Sequence, residues 1–132
     1  MRFGFTREQD EFRASLRRAL EARSPTKEVR RQMATDEGFD REAWRRLNHE
    51  LGLTAIHIPE AYGGQGFGYC ELGIVLEEMG RALVCAPFFS TAALATTAIL
   101  NAGSDDQKRA LLPTIAEGTT TATLAFLQPH AA

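Results

Sequence analysis

Two carboxylates, Glu77 and Glu78, stand side by side in the sequence and are the first place to look for acid–base chemistry. On a helix, consecutive side chains diverge by about 100°, so this pair cannot easily share a proton and reads as a solvated helix face. His49, His57 and His130 have no Cys, Asp or Glu at ligand spacing and no H-E-x-x-H pattern, so no metal site is expected. Cys70 and Cys85 are the two cysteines; a single pair makes neither a zinc site nor a disulfide framework, which fits a reduced, intracellular setting. The run Pro59-Glu-Ala-Tyr-Gly63-Gly-Gln-Gly66-Phe-Gly68 offers glycines, but as G-x-G-x-G with no strand before them and no Gly-Lys-Ser/Thr after. It is a turn rather than a phosphate loop. Ser90, Thr91, Thr96 and Thr97 could polarise a thioester carbonyl; on an apolar helix they are expected to bond back to the carbonyl four residues earlier. Tyr62 and Tyr69 are expected to pack with their hydroxyls in water. No catalytic residue and no metal ligand emerges from these patterns.

The elements that would hold these residues are helical. Thr6 and Gln9 form a capping box, with Phe5 placed as a staple, ahead of a helix whose apolar face is Phe12, Leu16, Ala19 and Leu20. A short piece over 27–34 follows Ser24-Pro25. Asp40 caps a helix with the stripe Trp44, Leu47 and Leu51, stopped by Gly52. After the Gly-rich turn, Leu72, Val75, Leu76, Met79 and Leu83 mark an amphipathic helix. The stretch 88–100 is apolar or small nearly all round and reads as a central helix, with Phe88, Phe89 and Leu94 its strongest candidates for contact with a ligand. Ordinary core packing is the plain alternative for them. Ser104 and Gln107 form a second capping box, and Pro113 is expected to kink or end the helix it opens. Residues 119–127, rich in Thr, read as a strand without a partner in the chain. Either it pairs with another chain or a β-domain that should follow it is missing; the second is favoured. The expected architecture is all-α, four to six helices over 1–118, with 119–132 the start of a truncated β-domain.

At 132 residues the chain is long enough for one domain with a real core. The net charge of −2 gives no reason to expect nucleic acid, although residues 1–50 carry 12 Lys and Arg against 10 Asp and Glu. A DNA-binding helix pair using Arg41, Arg45 and Arg46 lacks a recognition helix at the right distance. The N-terminus has no apolar signal core, and 86–100 is shorter than the ~20 residues a membrane span needs. A cytoplasmic protein without a membrane segment is the expectation.

Taken in order, several segments resemble the N-terminal helical domain of the acyl-CoA dehydrogenase family. They are the opening Phe-Thr-x-Glu-Gln helix, Trp44-x-x-Leu-x-x-x-Leu51-Gly-Leu53, the Pro59–Gly66 turn, and Glu77-Glu-Met-Gly-Arg-Ala82. Ala102-Gly-Ser-Asp-Asp-Gln-Lys108 and Leu112-Pro-x-x-Ala116-x-Gly118 also match. The segment Pro87-Phe-Phe-Ser90 looks like the branch found in bacterial catabolism of sterols and other bulky acyl groups. The resemblance implies a flavoprotein that removes the acyl α-proton with a glutamate while the β-hydride passes to FAD. It implies an acyl-CoA substrate, a chain about three times this length, and helices such as 86–100 walling the acyl cavity, with Phe88, Phe89 and Leu94 facing it. The flavin, the base and most of the chemistry would lie on an FAD-bearing domain or partner subunit, in a homo- or hetero-oligomer. First contact with flavin would come through a segment similar to Ala-Leu-Thr-Glu-Pro, here Ala125-Phe126-Leu127-Gln128-Pro129. Leu127 replaces a threonine hydroxyl and Gln128 an acid. That departure suits a divergent member or a non-catalytic subunit of a heteromeric dehydrogenase as readily as an active one. A stand-alone helical interaction module is the rival from another class, and this chain alone is expected to be inactive.

Overall fold

The computed structural model describes residues 4–126. Among them are six helices: α1 (Arg7–Arg23), α2 (Thr26–Met33), α3 (Arg41–Leu51), α4 (Tyr69–Arg81), α5 (Thr97–Ala102) and α6 (Asp105–Ala116). A π-helical stretch, Phe89–Thr96, runs directly into α5. The all-α expectation holds. The helix starts follow the sequence signals closely: Thr6 and Gln9 close a reciprocal capping box on α1, Ser104 and Gln107 do the same on α6, and Asp40 accepts from the Glu42 and Ala43 amides. Each satisfies amide donors that a bare helix end would leave unpaired. Phe5 does not bury as a staple; it lies under the Arg13 guanidinium, 4.5 Å from ring centre to Cζ. Pro113 does not end α6, which continues to Ala116.

Two apolar clusters hold the helices together. The larger joins Leu16 and Leu20 of α1, Trp44 and Leu47 of α3, Leu72, Val75 and Met79 of α4, and Phe88. The smaller joins Ala55 and Ile58 to Leu112, Ile115 and Ala116 of α6. Ile56 and Ile58 lie two apart in sequence yet belong to different clusters, so the segment after α3 stitches the two halves.

The Gly-rich segment folds back on that stitch. The Gln65, Gly66 and Phe67 amides donate to the carbonyls of Ala55, Ile58 and Ile56, each at 2.9 Å. At Gly64 a Cβ would overlap the Ile58 carbonyl, so only glycine fits. The glycines here serve backbone pairing, as the reading of a turn requires.

Two expectations about α4 are corrected. Glu77 lies on the surface but Glu78 is completely buried. Arg17 of α1 grips the Glu78 carboxylate through Nε and Nη2 at 2.9 and 2.6 Å, Arg81 donates from Nε at 2.8 Å, and Arg13 lies 3.5 Å away, bridging to Glu77 at 2.6 Å. The helical period alone puts Glu78 one step from Leu72-Val75-Met79; Arg13 and Arg17, four residues apart on α1, and Arg81, three residues on along α4, supply the counter-charge that lets it stay there. Leu83, read as the end of the apolar stripe, lies beyond the helix and is 65% exposed. Its φ of 50° puts a leucine where a left-handed cap normally carries glycine. The Val84 amide bonds back to Met79 O and the Leu83 amide to Gly80 O, which closes the helix end.

The expected terminal strand is not formed among the described residues: 119–126 have no ladder. Extended, Thr-rich backbone needs a neighbour to pair with, and the described fold supplies none.

Candidate functional site

The stretch Phe89–Thr96 is the least regular part of the helical body. Its π-helical winding widens the turn so that the Thr96 hydroxyl donates to the carbonyl five residues back, Thr91 O, at 2.8 Å. Ser90 bonds back only three residues, to Pro87 O. The expected four-residue back-bond is therefore absent at these residues: Thr96 takes the five-residue spacing of a π turn, Ser90 a three-residue bond, and the Thr91 hydroxyl leaves the helix altogether. Such turns interrupt the ordinary ladder at a cost and are frequent at functional sites.

The three residues that the sequence offers as ligand contacts, Phe88, Phe89 and Leu94, are separated by the structure. Phe88 is 2% exposed and belongs to the larger core cluster. Phe89, its neighbour, is 59% exposed, and Leu94 is half-buried on the same stretch. Thr91, Ala92, Ala95 and Thr96 are buried. Thus one face of this stretch anchors it while Phe89 and Leu94 remain available to a neighbour. Consecutive side chains on a helix diverge by about 100°, and here Phe88 turns into the core while Phe89 turns outward.

The C-terminal segment meets the same stretch. Thr91 Oγ1 donates to the carbonyl of Ala122 and accepts from its amide, both at 3.2 Å. Ala122 also packs against the smaller core cluster, whereas Thr121 and residues 123–126 are exposed. Phe126 ends the described segment at 69% exposure. Leu127 and Gln128, the other two residues read as facing a flavin, lie outside the described residues.

Two features were not legible beforehand. His57 is 7% exposed with neither ring nitrogen hydrogen-bonded, its ring 5.9 Å from that of Tyr69. Burial without a partner pushes its pKa below the ordinary histidine value. Tyr69 is itself exposed rather than packed, whereas Tyr62 packs against the smaller cluster. A cleft of about 180 Å³ lies among α1, α2, α3 and the 84–86 segment, with Leu20, Val29, Trp44 and Leu47 in its lining. It draws no residue from the π-helical stretch or from the C-terminal segment. Among the described residues no group of three or more His, Cys, Asp or Glu could hold a metal ion, and no helix is long and apolar enough to cross a membrane.

Residues 6–119 match the model of the acyl-CoA dehydrogenase N-terminal domain. The chain belongs to this family. Among curated relatives, acyl-CoA dehydrogenase IpdE2 of Mycolicibacterium smegmatis is 34% identical over 119 residues, 90% of this chain and 37% of the relative. IpdE2 of Mycobacterium tuberculosis is 41% identical over 91 residues, 69% of this chain and 28% of the relative. The chain thus spans about a third of the length of these relatives. Among solved structures, the ChsE4-ChsE5 complex from Mycobacterium tuberculosis superposes with a TM-score of 0.82 at 27% identity, over 93% of this chain and 34% of that one. This acyl-CoA dehydrogenase domain therefore carries the family's helical fold, and the exposed Phe89 and half-buried Leu94 belong to it rather than to an unrelated helical module.

Proposed function

We propose that this chain is the part of an acyl-CoA dehydrogenase-like flavoprotein that walls the acyl pocket and packs on the flavin-bearing domain. The observation that carries the reading is the division of labour along Phe89–Thr96: a buried threonine and alanine face locks the stretch in place, and Phe89 and half-buried Leu94 are left facing outward. An apolar acyl chain gains about 0.8 kcal/mol for each methylene it buries, so such a face suits an acyl thioester. In this reading Phe88 supports the wall from behind and does not touch the substrate. The helical domain ends near Gly118, and 119–132 begin the β-domain.

The flavin fit is limited. Phe126 offers an exposed ring and Leu124 an exposed aliphatic side chain, which suit apolar contact with FAD, while Thr123 is the lone polar side chain in 123–126. FAD, when bound, would accept the β-hydride; this chain's part is to shape the apolar side of the site and keep water from it. Turnover would then need residues beyond this chain, from a following domain or a partner subunit. The pairing in the ChsE4-ChsE5 complex favours the second arrangement as an alternative, with this chain in a heteromeric dehydrogenase.

Reconstitution tests the proposal. The chain is mixed with an IpdE2 relative deleted of its own helical domain, and acyl-CoA-dependent dye reduction is followed. Recovered activity whose chain-length preference shortens in Leu94→Trp supports the wall. Recovered activity indifferent to Leu94→Trp and Phe89→Ala would remove it.

A further inference from the structure

We propose that Thr91 is a positioning residue: its single hydroxyl takes the place of a neighbouring strand for Ala122 and so sets where the segment leading to Phe126 leaves the helical body. The inference rests on the proposed function in one respect, that Phe126 meets the flavin; the latch itself does not depend on it.

The geometry is unusual in its economy. A hydroxyl is both donor and acceptor, and Thr91 uses both capacities on one residue, donating to Ala122 O and accepting from Ala122 N. These are the two backbone groups that strand pairing would otherwise satisfy. Thr91 is itself fully buried, and its own carbonyl is held by Thr96 in the π turn, so the hydroxyl is presented from a fixed base. Upstream, the Thr119 and Thr120 amides both bond to Thr114 O at 3.1 Å, which turns the chain off the end of α6. Downstream, Ala122 is the last described residue with a hydrogen bond to the helical body, and it is also the half-buried one that packs on the smaller cluster. Four residues of extended chain reach about 13 Å, so fixing Ala122 limits where Phe126 can be delivered. A π turn in place of an α turn alters the angular position of every following side chain, which gives the irregular winding at 89–96 a purpose: Thr91 and Thr96 come into line five residues apart.

The test uses the whole chain without flavin. Thr91→Val keeps the shape and removes the hydroxyl; Thr91→Ser keeps the hydroxyl. Amide hydrogen exchange is followed by NMR at Ala122, with Leu112 in α6 as the internal reference. Loss of the two hydrogen bonds predicts exchange at Ala122 at least about fivefold faster in Thr91→Val, with shifted Thr121–Thr123 resonances, and wild-type behaviour in Thr91→Ser. Leu112 should be unchanged in both. Unchanged exchange at Ala122 in Thr91→Val, or equal acceleration in Thr91→Ser, would overturn the latch. Equal acceleration at Ala122 and Leu112 would overturn it as well, because Thr91 would then act on the whole fold. Flavin binding in the reconstituted complex is read separately. A latch that behaves as predicted beside a Phe126→Ala variant with an unchanged flavin spectrum would leave the latch standing and remove the flavin assignment.

Discussion

Replacing Glu78 by glutamine should cost this fold more than almost any other single-atom change. The carboxylate is buried and held by Arg17 and Arg81, with Arg13 nearby, and the hydrogen bonds from Arg17 are the main reason its pKa falls from 4.5 to about 2. A drop of that size corresponds to about 3 kcal/mol favouring the ionised form in the folded state. The same figure is expected when one partner of a buried ion pair is neutralised. The sign follows from linkage. Glu78 is depressed in the folded chain, so its contribution is complete above the unfolded value of 4.5 and fades as pH falls toward about 2. Urea unfolding at pH 7, followed by far-ultraviolet circular dichroism, should show Glu78→Gln destabilised by about 3 kcal/mol, a large share of a marginal fold's total. Between pH 5 and pH 2 the wild type should lose that advantage, and the two proteins should converge. A variant within about 0.5 kcal/mol of wild type at pH 7, or one whose stability falls in parallel with wild type below pH 5, would refute the reasoning.

His57 gives a second, separate pH leg. Its depressed pKa means that the unfolded chain takes up a proton first as pH falls below the ordinary value of 6.5, so stability should decline there; thermal unfolding from pH 7.5 to 5.5 should show a flatter profile for His57→Leu. Gly64→Ala drives a methyl into the Ile58 carbonyl and should destabilise by about 3 kcal/mol, the upper end for overpacking, read from the urea midpoint. Leu83→Gly should stabilise by about 0.5–1 kcal/mol, because relief of a left-handed leucine outweighs the entropy of glycine at an exposed cap. An unchanged or lower melting temperature for Leu83→Gly would contradict that balance.

Much of this fold is written in local signals. Thr6 with Gln9, Asp40, and Ser104 with Gln107 mark helix starts that need no tertiary context, and the stripe Leu72-Val75-Met79 names its buried face. What stayed hidden depends on partners far along the chain. Glu78 reads as surface until Arg17, 61 residues away, is placed against it. The π winding of Phe89–Thr96 has no periodic signature distinct from an α-helix in so uniformly apolar a run. Thr119–Phe126 has the composition of a strand, but a strand exists only where its hydrogen bonds are met, and here Ala122 meets them on a side chain. At the candidate wall, the residue types were legible and the side of the helix was not: Phe88 and Phe89 differ by one position and by 57 percentage points of exposure, from 2% to 59%.

In the proposed division of labour this acyl-CoA dehydrogenase domain would supply a pocket wall, and the flavin chemistry would fall to a following domain or a partner subunit. The visible absorption spectrum of the purified chain, alone and after mixing with FAD, followed through gel filtration, puts that division to the test. A colourless protein peak is expected, with flavin eluting as the free cofactor. Flavin bands that travel with the protein would mean that this chain assembles a cofactor site by itself, and would contradict the division of labour proposed here.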